Sequence, residues 1–209
     1  MRRPDHFSLL APFYDRIFAG SNSARLHELL ALPAGRLLDV GGGTGRVAAM
    51  LVGLADLIVV TDLSAAMLRE ARAKEDLCPA RAHAERLPFP DASFDRVLVV
   101  DAFHHFCDQG QAADELLRVL APGGRLVIEE PNIEHWPVKL IALGERLALM
   151  GSRFQRPEVM RRLFSARGGR VTLRTDDAVN AWVVVEKLSN DERSRTTARR
   201  GLAAADTGH

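Results

Sequence analysis

The stretch of sequence that decides the fold is RLLDVGGGTGRV, residues 36–47, in which four glycines occupy five positions directly after an apolar run. An apolar run, a glycine-rich turn and a following helical pattern are typical of a strand that leads into a helix. Because glycine has no side chain, such a turn lets a ligand approach the backbone itself. Several classes of ligand use turns of this kind, and the surrounding sequence has to separate them.

Apolar runs and helical patterns alternate on both sides of this turn. We predict strands at 36–40, 57–61, 79–83, 95–100 and 124–130, and helices at 45–53, 64–75 and 111–120. This alternation indicates βαβ units and a parallel sheet that helices cover on both faces. Beyond Pro131 the pattern predicts helices at 134–150 and 157–165, then a hairpin of strands at 170–174 and 181–186. The sequence therefore predicts an α/β fold.

The bulk properties exclude several classes of protein. At 209 residues the chain has the length of one ordinary domain. Its 28 Lys and Arg residues nearly balance 27 Asp and Glu residues, so no overall field favours nucleic acid or an anionic membrane. Cys78 and Cys107 lack a metal-binding spacing and fit a reducing compartment. With no signal-peptide pattern and no apolar run near the roughly 20 residues of a spanning helix, we expect a cytoplasmic protein without membrane insertion.

Three ligand-binding templates compete for the glycine-rich turn. The Walker phosphate loop, GxxxxGK[ST], needs a lysine that follows none of these glycines, so ATP chemistry of that kind is excluded. The dinucleotide fingerprint GxGxxG would place Arg46 where only glycine or alanine allows close helix packing, which disfavours a nicotinamide-dependent oxidoreductase. An acidic residue followed by GxGxG fits, with Asp39 ahead of Gly41, Gly43 and Gly45. Glycines that serve packing alone remain the alternative.

A second acidic residue, Asp62, ends the next apolar run 21 residues after Gly41. The carboxyl ends of neighbouring parallel strands meet at one edge of a sheet, where open α/β sheets bind their ligands. A carboxylate at that position can accept hydrogen bonds from both hydroxyls of an adenosine ribose. The alternative for Asp62 is a solvated loop acid.

Four segments, in order across residues 37–131, carry a resemblance to a known family: LLDVGGGTGRVA, VVTDLSAAML, AERLPFPDASFDRVLVVDAFHHF and LLRVLAPGGRLVIEEP. They resemble class I S-adenosylmethionine-dependent methyltransferases, in the branch of the ubiquinone and menaquinone biosynthesis C-methyltransferases. The N-terminal FSLLAPFYD is a fifth, weaker match. The resemblance implies S-adenosyl-L-methionine as cofactor. It also implies a Rossmann-like three-layer sandwich, whose seven-stranded, mostly parallel sheet ends in an antiparallel C-terminal hairpin strand.

The resemblance implies a role for each residue at the ligand edge. The backbone of residues 41–45 would face the methionine part of the cofactor, and Asp39 would help to hold its ammonium group. Asp62 would hold the ribose diol, and Leu63 would pack on the adenine. Asp101, at the end of the fourth strand, would border the transferable methyl.

One position departs from the family pattern. Family members commonly have an acidic residue two positions before the glutamate of the AExLPF run, whereas this chain has His83, followed by Ala84 and Glu85. A neutral imidazole nitrogen accepts one hydrogen bond but carries no negative charge. We therefore expect a weaker adenine contact, or one made by the backbone of Ala84. The departure keeps open a second alternative, a cofactor-binding protein that serves regulation or assembly without catalysis.

The pair His104 and His105 is the candidate for acid–base catalysis. Histidine titrates near neutral pH and can take a proton from an acceptor, so either His105 or His104 is a candidate for that role, with His105 slightly ahead. Packing under the helix 111–120, or capping of a loop, is the alternative for both. Tyr14, in the N-terminal segment, is a further candidate for the pocket wall. Methyl transfer requires little more than alignment and desolvation, because the sulfonium already activates the methyl group.

We predict a single domain over residues 1–188 and a disordered tail over 189–209. Helices at 1–31 form a lid, and a helical insertion at 134–165 lies over the cofactor. The apolar face of this insertion is either core or acceptor pocket; it contains Leu140, Leu143, Leu147 and Met150. DAFHHF replaces the Asn/Asp-Pro-Pro-aromatic run of base-methylating enzymes, so no nucleic acid is expected. The expected acceptor is a small apolar or aromatic molecule, methylated at oxygen or carbon. No metal is expected, and both a monomer and a homodimer remain open.

Overall fold

The computed structural model describes residues 23–132, 153–175, 180–189 and 192. Its strands are β1 (Ala34–Val40), β2 (Ala55–Asp62), β3 (Leu77–Arg81), β4 (Phe94–Val100), β5 (Leu120–Pro131), β6 (Gly169–Thr175) and β7 (Asn180–Lys187). Its helices are α1 (Ser23–Leu30), α2 (Arg46–Ala49), α3 (Ala65–Arg72), α4 (Gln109–Val119) and α5 (Pro157–Ser165), with a 3₁₀ turn at Phe103–His105.

The strands form one sheet in the order β3–β2–β1–β4–β5–β7–β6. Strands β1 to β5 pair in parallel, and β7 lies antiparallel between β5 and β6. The predicted α/β fold, with a seven-stranded, mostly parallel sheet and an antiparallel hairpin strand, is confirmed. The strand order reverses between β1 and β4, and such a switch point opens a crevice at the carboxyl ends of the strands.

Helices cover the sheet on both faces because successive strand residues point to opposite sides. In β1, Leu37 packs into one apolar cluster and Leu38 into the other. The first cluster includes Leu26 of α1 and Leu68 of α3. The second includes Leu116 of α4 and also residues of α5. Three layers result, as predicted, with the loops at the carboxyl edge of the sheet free to form a site.

Most predicted elements are present with shifted ends. The predicted helix 157–165 coincides with α5, whereas the weak strand expected at 79–83 lies at Leu77–Arg81. The helix expected at 45–53 is the single turn α2, followed by turns that end at a left-handed Gly53. The predicted helix 134–150 and the hairpin loop 176–179 lie outside the described residues.

The described part of the predicted lid packs on the face of the sheet. Guanidinium groups from the amino ends of β4 and β5 cap the carboxyl end of α1: Arg96 donates to the carbonyls of Leu30 and Ala31, and Arg125 donates to that of Leu29 at 3.1 Å. Such bonds satisfy carbonyls that a helix end leaves unpaired. Residues 1–22 lie outside the described part, and the lid stays a prediction.

Two residues of the predicted tail are described, and they make ordered contacts. The Ser189 Oγ accepts from the Glu192 N–H at 3.3 Å, and Glu192 accepts from the Ser189 N–H at 3.0 Å, which is a reciprocal capping box. Arg170 of β6 pairs with Glu192 at 2.9 Å. The SxxE pattern is the sequence signal for this feature. Within the described residues, no helix is both long and apolar enough to span a membrane.

Candidate active site

The glycine-rich turn follows β1 at the switch point of the sheet. Its Gly41, Gly43 and Gly45 have φ of +74°, +57° and +70°, in the left-handed region that favours glycine. A Cβ added at Gly41 would meet the Ala102 Cβ at 2.6 Å, and one at Gly45 would meet Leu77 at 2.7 Å. These two glycines therefore allow the turn to pack against neighbouring elements.

Gly43 has a different environment from its neighbours in the turn. A Cβ added there would meet nothing closer than the Met67 Sδ at 3.9 Å and an Asp62 carboxylate oxygen at 4.0 Å. The Cβ position of Gly43 therefore faces an open space, called the cradle below, which a side chain would fill. Packing, the alternative raised from the sequence, is thus seen at Gly41 and Gly45, while the space beside Gly43 is open. The cofactor-binding role of the three glycines stays a prediction.

Asp62 connects the glycine-rich turn to the next helix. One carboxylate oxygen accepts from the Gly43 N–H at 3.0 Å, and the other accepts from the Ser64 N–H at 2.7 Å. Ser64 in turn caps α3 by accepting from the Met67 N–H. The structure thus brings the carboxylate predicted to hold a ribose to the rim of the cradle. Each carboxylate oxygen has a second lone pair, so Asp62 can still accept from a ligand.

Asp39 lies at the carboxyl end of β1 and is 1% exposed. Among the described residues, no group donates a hydrogen bond to either of its carboxylate oxygens. Burial, and then the charge of Asp62, raises the pKa of Asp39 from 3.8 to about 7, although Arg46 acts in the opposite direction. A buried carboxylate without a partner is costly in the ionised form. The site is therefore suited to a ligand that brings a positive charge to Asp39.

The residues predicted to bind adenine lie beside Asp62. The Ala82 N–H donates to the Asp62 carbonyl at 3.1 Å, which holds the following loop against the end of β2. Leu63 is 44% exposed and Ala84 is buried. The His83 side chain is 68% exposed, with its Nδ1 at 3.9 Å from a Glu85 carboxylate oxygen. Leu63 thus presents an exposed apolar side chain beside Asp62, while His83 points toward solvent.

Glu85 joins this loop to the segment after the 3₁₀ turn. One oxygen of its carboxylate accepts from the backbone N–H groups of Cys107 and Asp108, at 2.7 and 3.2 Å. Asp108 then caps α4 through the N–H of Gln111 at 2.9 Å. A single carboxylate therefore fixes the distance between the predicted adenine loop and the start of α4.

Arg118 of α4 holds the rest of the same loop and was not identified from the sequence. Its guanidinium donates to the carbonyls of Leu87 and Phe89, at 3.0 and 2.7 Å. It also pairs with Glu115 and Asp91, and the network raises the pKa of Arg118 further above its ordinary value. Glu115 completes the network by accepting from the Leu87 N–H at 2.8 Å. A fully bonded network of this kind rigidifies the loop.

Asp101 lies at the end of β4, on the same edge as the glycine-rich turn. Its φ of +50° is in the left-handed region, which Asp tolerates better than most residues, and its N–H donates to the Glu129 carbonyl at 3.0 Å. The next residue, Ala102, packs against Gly41, and the Phe106 ring lies 3.5 Å from where a Gly41 Cβ would be. The structure thus places Asp101 beside the turn, and its role at the transferable methyl stays a prediction.

The two histidines occupy the 3₁₀ turn and differ in their surroundings. His104 is 3% exposed, and its Nδ1 lies 2.6 Å from a carboxylate oxygen of Glu130. Its ring stacks on Phe154 at 4.1 Å and contacts the His105 ring at 4.0 Å. The packing alternative raised from the sequence therefore describes His104 well.

His105 is half-buried, and burial, with a smaller effect of His104, lowers its pKa to about 3. Its imidazole is therefore neutral near pH 7. A base with so low a pKa is poorly matched to proton abstraction at neutral pH. A neutral imidazole can donate and accept hydrogen bonds, and the role of general base stays a prediction. Tyr14 lies outside the described residues, so its role stays a prediction.

Sequence reasoning also missed Glu130, the partner of His104. Both Glu129 and Glu130 are buried at the carboxyl end of β5. The rule that selected Asp62 and Asp101, an acidic residue at the end of a parallel strand, would also have selected these two. Among the described residues, no group of three or more His, Cys, Asp or Glu side chains is placed to hold a metal ion.

The strand order, the switch point and the glycine-rich turn between two carboxylates define the α/β fold of the class I methyltransferases. A model of the family described as methyltransferase domain matches residues 38–128. In this segment the chain is similar to that family. The resemblance found in the sequence is therefore confirmed, and the family and the fold imply S-adenosyl-L-methionine as the cofactor.

Curated relatives agree with this family. The chain is 38% identical over 104 residues to a ubiquinone/menaquinone biosynthesis C-methyltransferase of Hahella chejuensis, a match that covers 45% of this chain and 42% of that protein. It is 40% identical over 139 residues to a demethylmenaquinone methyltransferase of Thermus thermophilus, covering 59% and 63%. The matched part thus spans about half the length of these relatives. The comparisons favour neither the oxidoreductase nor the binding-only alternative.

Solved structures share the fold at low sequence identity. The YcgJ protein of Bacillus subtilis superposes with a TM-score of 0.70 at 19% identity, over 80% of this chain and 98% of that one. A [4+2]-cyclase, SpnF, superposes with a TM-score of 0.71 at 18% identity, over 88% and 94%. Because a protein described as a cyclase has the same fold, the fold by itself does not determine the reaction.

Proposed function

We propose that the whole chain is a methyltransferase that uses S-adenosyl-L-methionine to methylate carbon or oxygen of a small aromatic or apolar acceptor. The observation that carries the proposal is the buried Asp39 carboxylate, which lies under a glycine-rich turn opposite Asp62 and has no donor among the described residues. An ammonium group supplies the charge that Asp39 needs, and a ribose diol offers the donors that a carboxylate such as Asp62 accepts from. A nucleoside that carries an amino acid has both groups.

Each part of the cofactor then has its own set of residues. Asp39 holds the ammonium group, and the space beside Gly43 admits the methionine part. Asp62 accepts from the ribose, while Leu63 and the backbone at Ala84 cover the adenine. Because His83 points to solvent, the adenine amino group is left to backbone carbonyls or to water. This accounts for a site that works without the acidic residue common in the family.

The cofactor, when bound, supplies a methyl group already activated by a positively charged sulfur. The chain has to align an acceptor with that methyl and to exclude water, because transfer removes the charge and a dry site favours its loss. Asp101 and Ala102 border the turn, and Phe106 packs over Gly41. A half-buried, neutral His105 can hydrogen-bond an acceptor oxygen and so fix its orientation.

We place the acceptor beside the 3₁₀ turn. A cleft of about 360 Å³ lies there between the start of α4 and α5, and volumes of this order hold small ligands. One wall is apolar and includes Val159 and Leu163, and the other includes Gln109 and Arg153. The relative from Hahella chejuensis is described as a ubiquinone/menaquinone biosynthesis C-methyltransferase, which supports carbon as the methylated atom.

Calorimetry with S-adenosyl-L-methionine, its demethylated product and NAD(H) tests the cofactor. We expect binding of both sulfur compounds; binding of NAD(H) alone would contradict the proposal. Transfer of a tritiated methyl group to a panel of phenols and reduced naphthoquinones, including a short-chain demethylmenaquinone analogue, tests the activity. Cofactor binding without transfer to any member of the panel would favour a binding protein.

A matched pair of variants tests the position of the acceptor. Val159→Lys places a charge in the cleft, whereas Val52→Lys places one at an exposed residue after α2, away from the cleft. We expect only Val159→Lys to raise the KM of an accepted ring compound, by tenfold or more, with cofactor affinity unchanged. Equal KM values for both variants would place the acceptor elsewhere.

A further inference from the structure

Both carboxylate oxygens of Glu130 contact residues of the 3₁₀ turn. It lies at the carboxyl end of β5 and is 3% exposed. One oxygen accepts from the Phe103 N–H at 2.8 Å, and the other lies 2.6 Å from the His104 Nδ1. A buried carboxylate with two short bonds to adjacent residues holds both the backbone and one side chain of that turn.

These contacts determine which ring nitrogen of His104 carries a proton. The His104 Nδ1 and the carboxylate oxygen lie 2.6 Å apart, so one proton lies between them, and with the carboxylate as acceptor that proton belongs to Nδ1. The backbone of the turn is held separately, because the Arg153 N–H donates to the His104 carbonyl at 2.7 Å and Gln109 donates to the Phe103 carbonyl at 3.1 Å. Glu130 thus holds the imidazole through its Nδ1, in addition to the stack on Phe154.

The orientation of His104 limits that of His105. The His104 ring is stacked on Phe154 with an interplanar angle of 14°. The His105 ring, centred 4.0 Å away, contacts the same imidazole. If His104 rotates, it loses the stack on Phe154 and leaves His105 without its ring neighbour. A chain of contacts therefore runs from Glu130 through His104 to His105, beside the cleft.

We propose that Glu130 is a positioning residue for methyl transfer, which keeps His104 protonated at Nδ1 and thereby holds His105 in the orientation that meets the acceptor. The inference rests on the proposed function. Glu130 contacts neither the glycine-rich turn nor Asp62 in the described structure, so its effect is on the acceptor side and not on cofactor binding.

The substitution Glu130→Gln tests this role with almost no change in shape. Its side-chain carbonyl can still accept from the Phe103 N–H, but its amide group then presents a donor to the His104 Nδ1–H. Two donors cannot bond, so His104 must move its proton to the other nitrogen or turn away. Glu129→Gln is the matched control, because Glu129 is equally buried on the same strand and accepts from Asn180 instead.

Two measurements distinguish positioning from simple stabilisation. Two-bond ¹H–¹⁵N spectra of histidine-labelled protein, with His104→Gln to identify the signal, report which nitrogen of His104 is protonated. We expect Nδ1 protonation in the wild type and in Glu129→Gln, and its loss in Glu130→Gln. Single-turnover transfer to the best acceptor of the panel, below the unfolding temperature, should fall 10- to 100-fold in Glu130→Gln only, with the cofactor Kd within twofold of wild type.

Three results would overturn the inference. An unprotonated Nδ1 in the wild type would contradict the proposed hydrogen bond. An unchanged transfer rate in Glu130→Gln, despite an altered His104 signal, would show that Glu130 has only a structural role. A wild type that binds cofactor but methylates no acceptor would refute the proposed function, and the inference with it, while the histidine spectra would still report the hydrogen bond.

Discussion

The substitution Asp39→Asn should remove a loss of stability that the unliganded wild type undergoes as the pH rises from 5 to 8. The pKa of Asp39 rises from 3.8 to about 7 through burial and the charge of Asp62. Below pH 3.8 the carboxyl group is protonated in both the folded and the unfolded state. Above that pH the unfolded state loses its proton first, so the stability that Asp39 contributes falls until the pH passes about 7. Asn has nearly the same shape and never ionises, so the variant lacks this loss.

The size of the effect follows from the interval between the two pKa values. Each pH unit within that interval changes the free energy of unfolding by about 1.4 kcal/mol per proton. Between pH 5 and pH 8 the wild type should therefore lose about 3 kcal/mol that the variant does not lose, since the contribution levels off above pH 7. This difference between two pH values does not depend on how well Asn itself is solvated.

Urea unfolding followed by circular dichroism, at pH 5, 6, 7 and 8 without cofactor, measures the difference between the two proteins. Titrating groups that do not interact with Asp39 are common to both proteins and cancel, whereas the interactions of Asp39 with Asp62 and Arg46 are part of the measured difference. A ¹³C spectrum of the aspartate carboxyl groups, with the variant to identify Asp39, gives its midpoint directly. If the stability difference stayed constant from pH 5 to pH 8, Asp39 would ionise at its ordinary pKa, and the argument that it is kept for a cationic ligand would fail.

Three further outcomes can be measured. Gly43→Ala should weaken binding of S-adenosyl-L-methionine at least tenfold in calorimetry. Gly53→Ala should leave that binding unchanged, although Gly53 is also left-handed and a Cβ added there would meet nothing within 4 Å. Both substitutions should lower the free energy of unfolding by about 1–2 kcal/mol, and equal affinities of the two variants would refute the cradle. Asp62→Ala should weaken the same binding by about 1–3 kcal/mol, for the loss of charge-assisted hydrogen bonds, and unchanged affinity would remove it from the site. Arg118→Met, which releases the Leu87 carbonyl, should lower the free energy of unfolding by about 1–3 kcal/mol in urea titrations and also weaken cofactor binding. A loss of stability without a loss of cofactor affinity would show that the network only stabilises the fold.

Local patterns in the sequence were sufficient for the fold and for one half of the site. Asp39 and Asp62 could be found because each ends an apolar run, and in a parallel sheet the ends of such runs meet at one edge. The glycine-rich turn was found in the same way. The different surroundings of its glycines could not be predicted, because only the packing of Ala102 and Leu77 shows that, within this turn, Gly43 alone faces an open space.

The acceptor half depends on contacts between residues far apart in the chain. Glu130 meets His104 across 26 positions, and Arg118 meets the Leu87 carbonyl across 31. Neither the periodicity of the sequence nor a short motif indicates such pairs. The protonation state of His105 could not be predicted either, because the sequence shows a histidine but not the burial that lowers its pKa to about 3.

The bridge made by Glu85 has a consequence for mutagenesis. One carboxylate oxygen ties the loop on the adenine side to Cys107 and Asp108, which lead into the cleft. We therefore expect a substitution of Glu85 to change the Michaelis constants for the methyl donor and for the acceptor together. Kinetic data from such a variant describe the coupling between the two halves of the site, and they cannot be used to assign Glu85 to either.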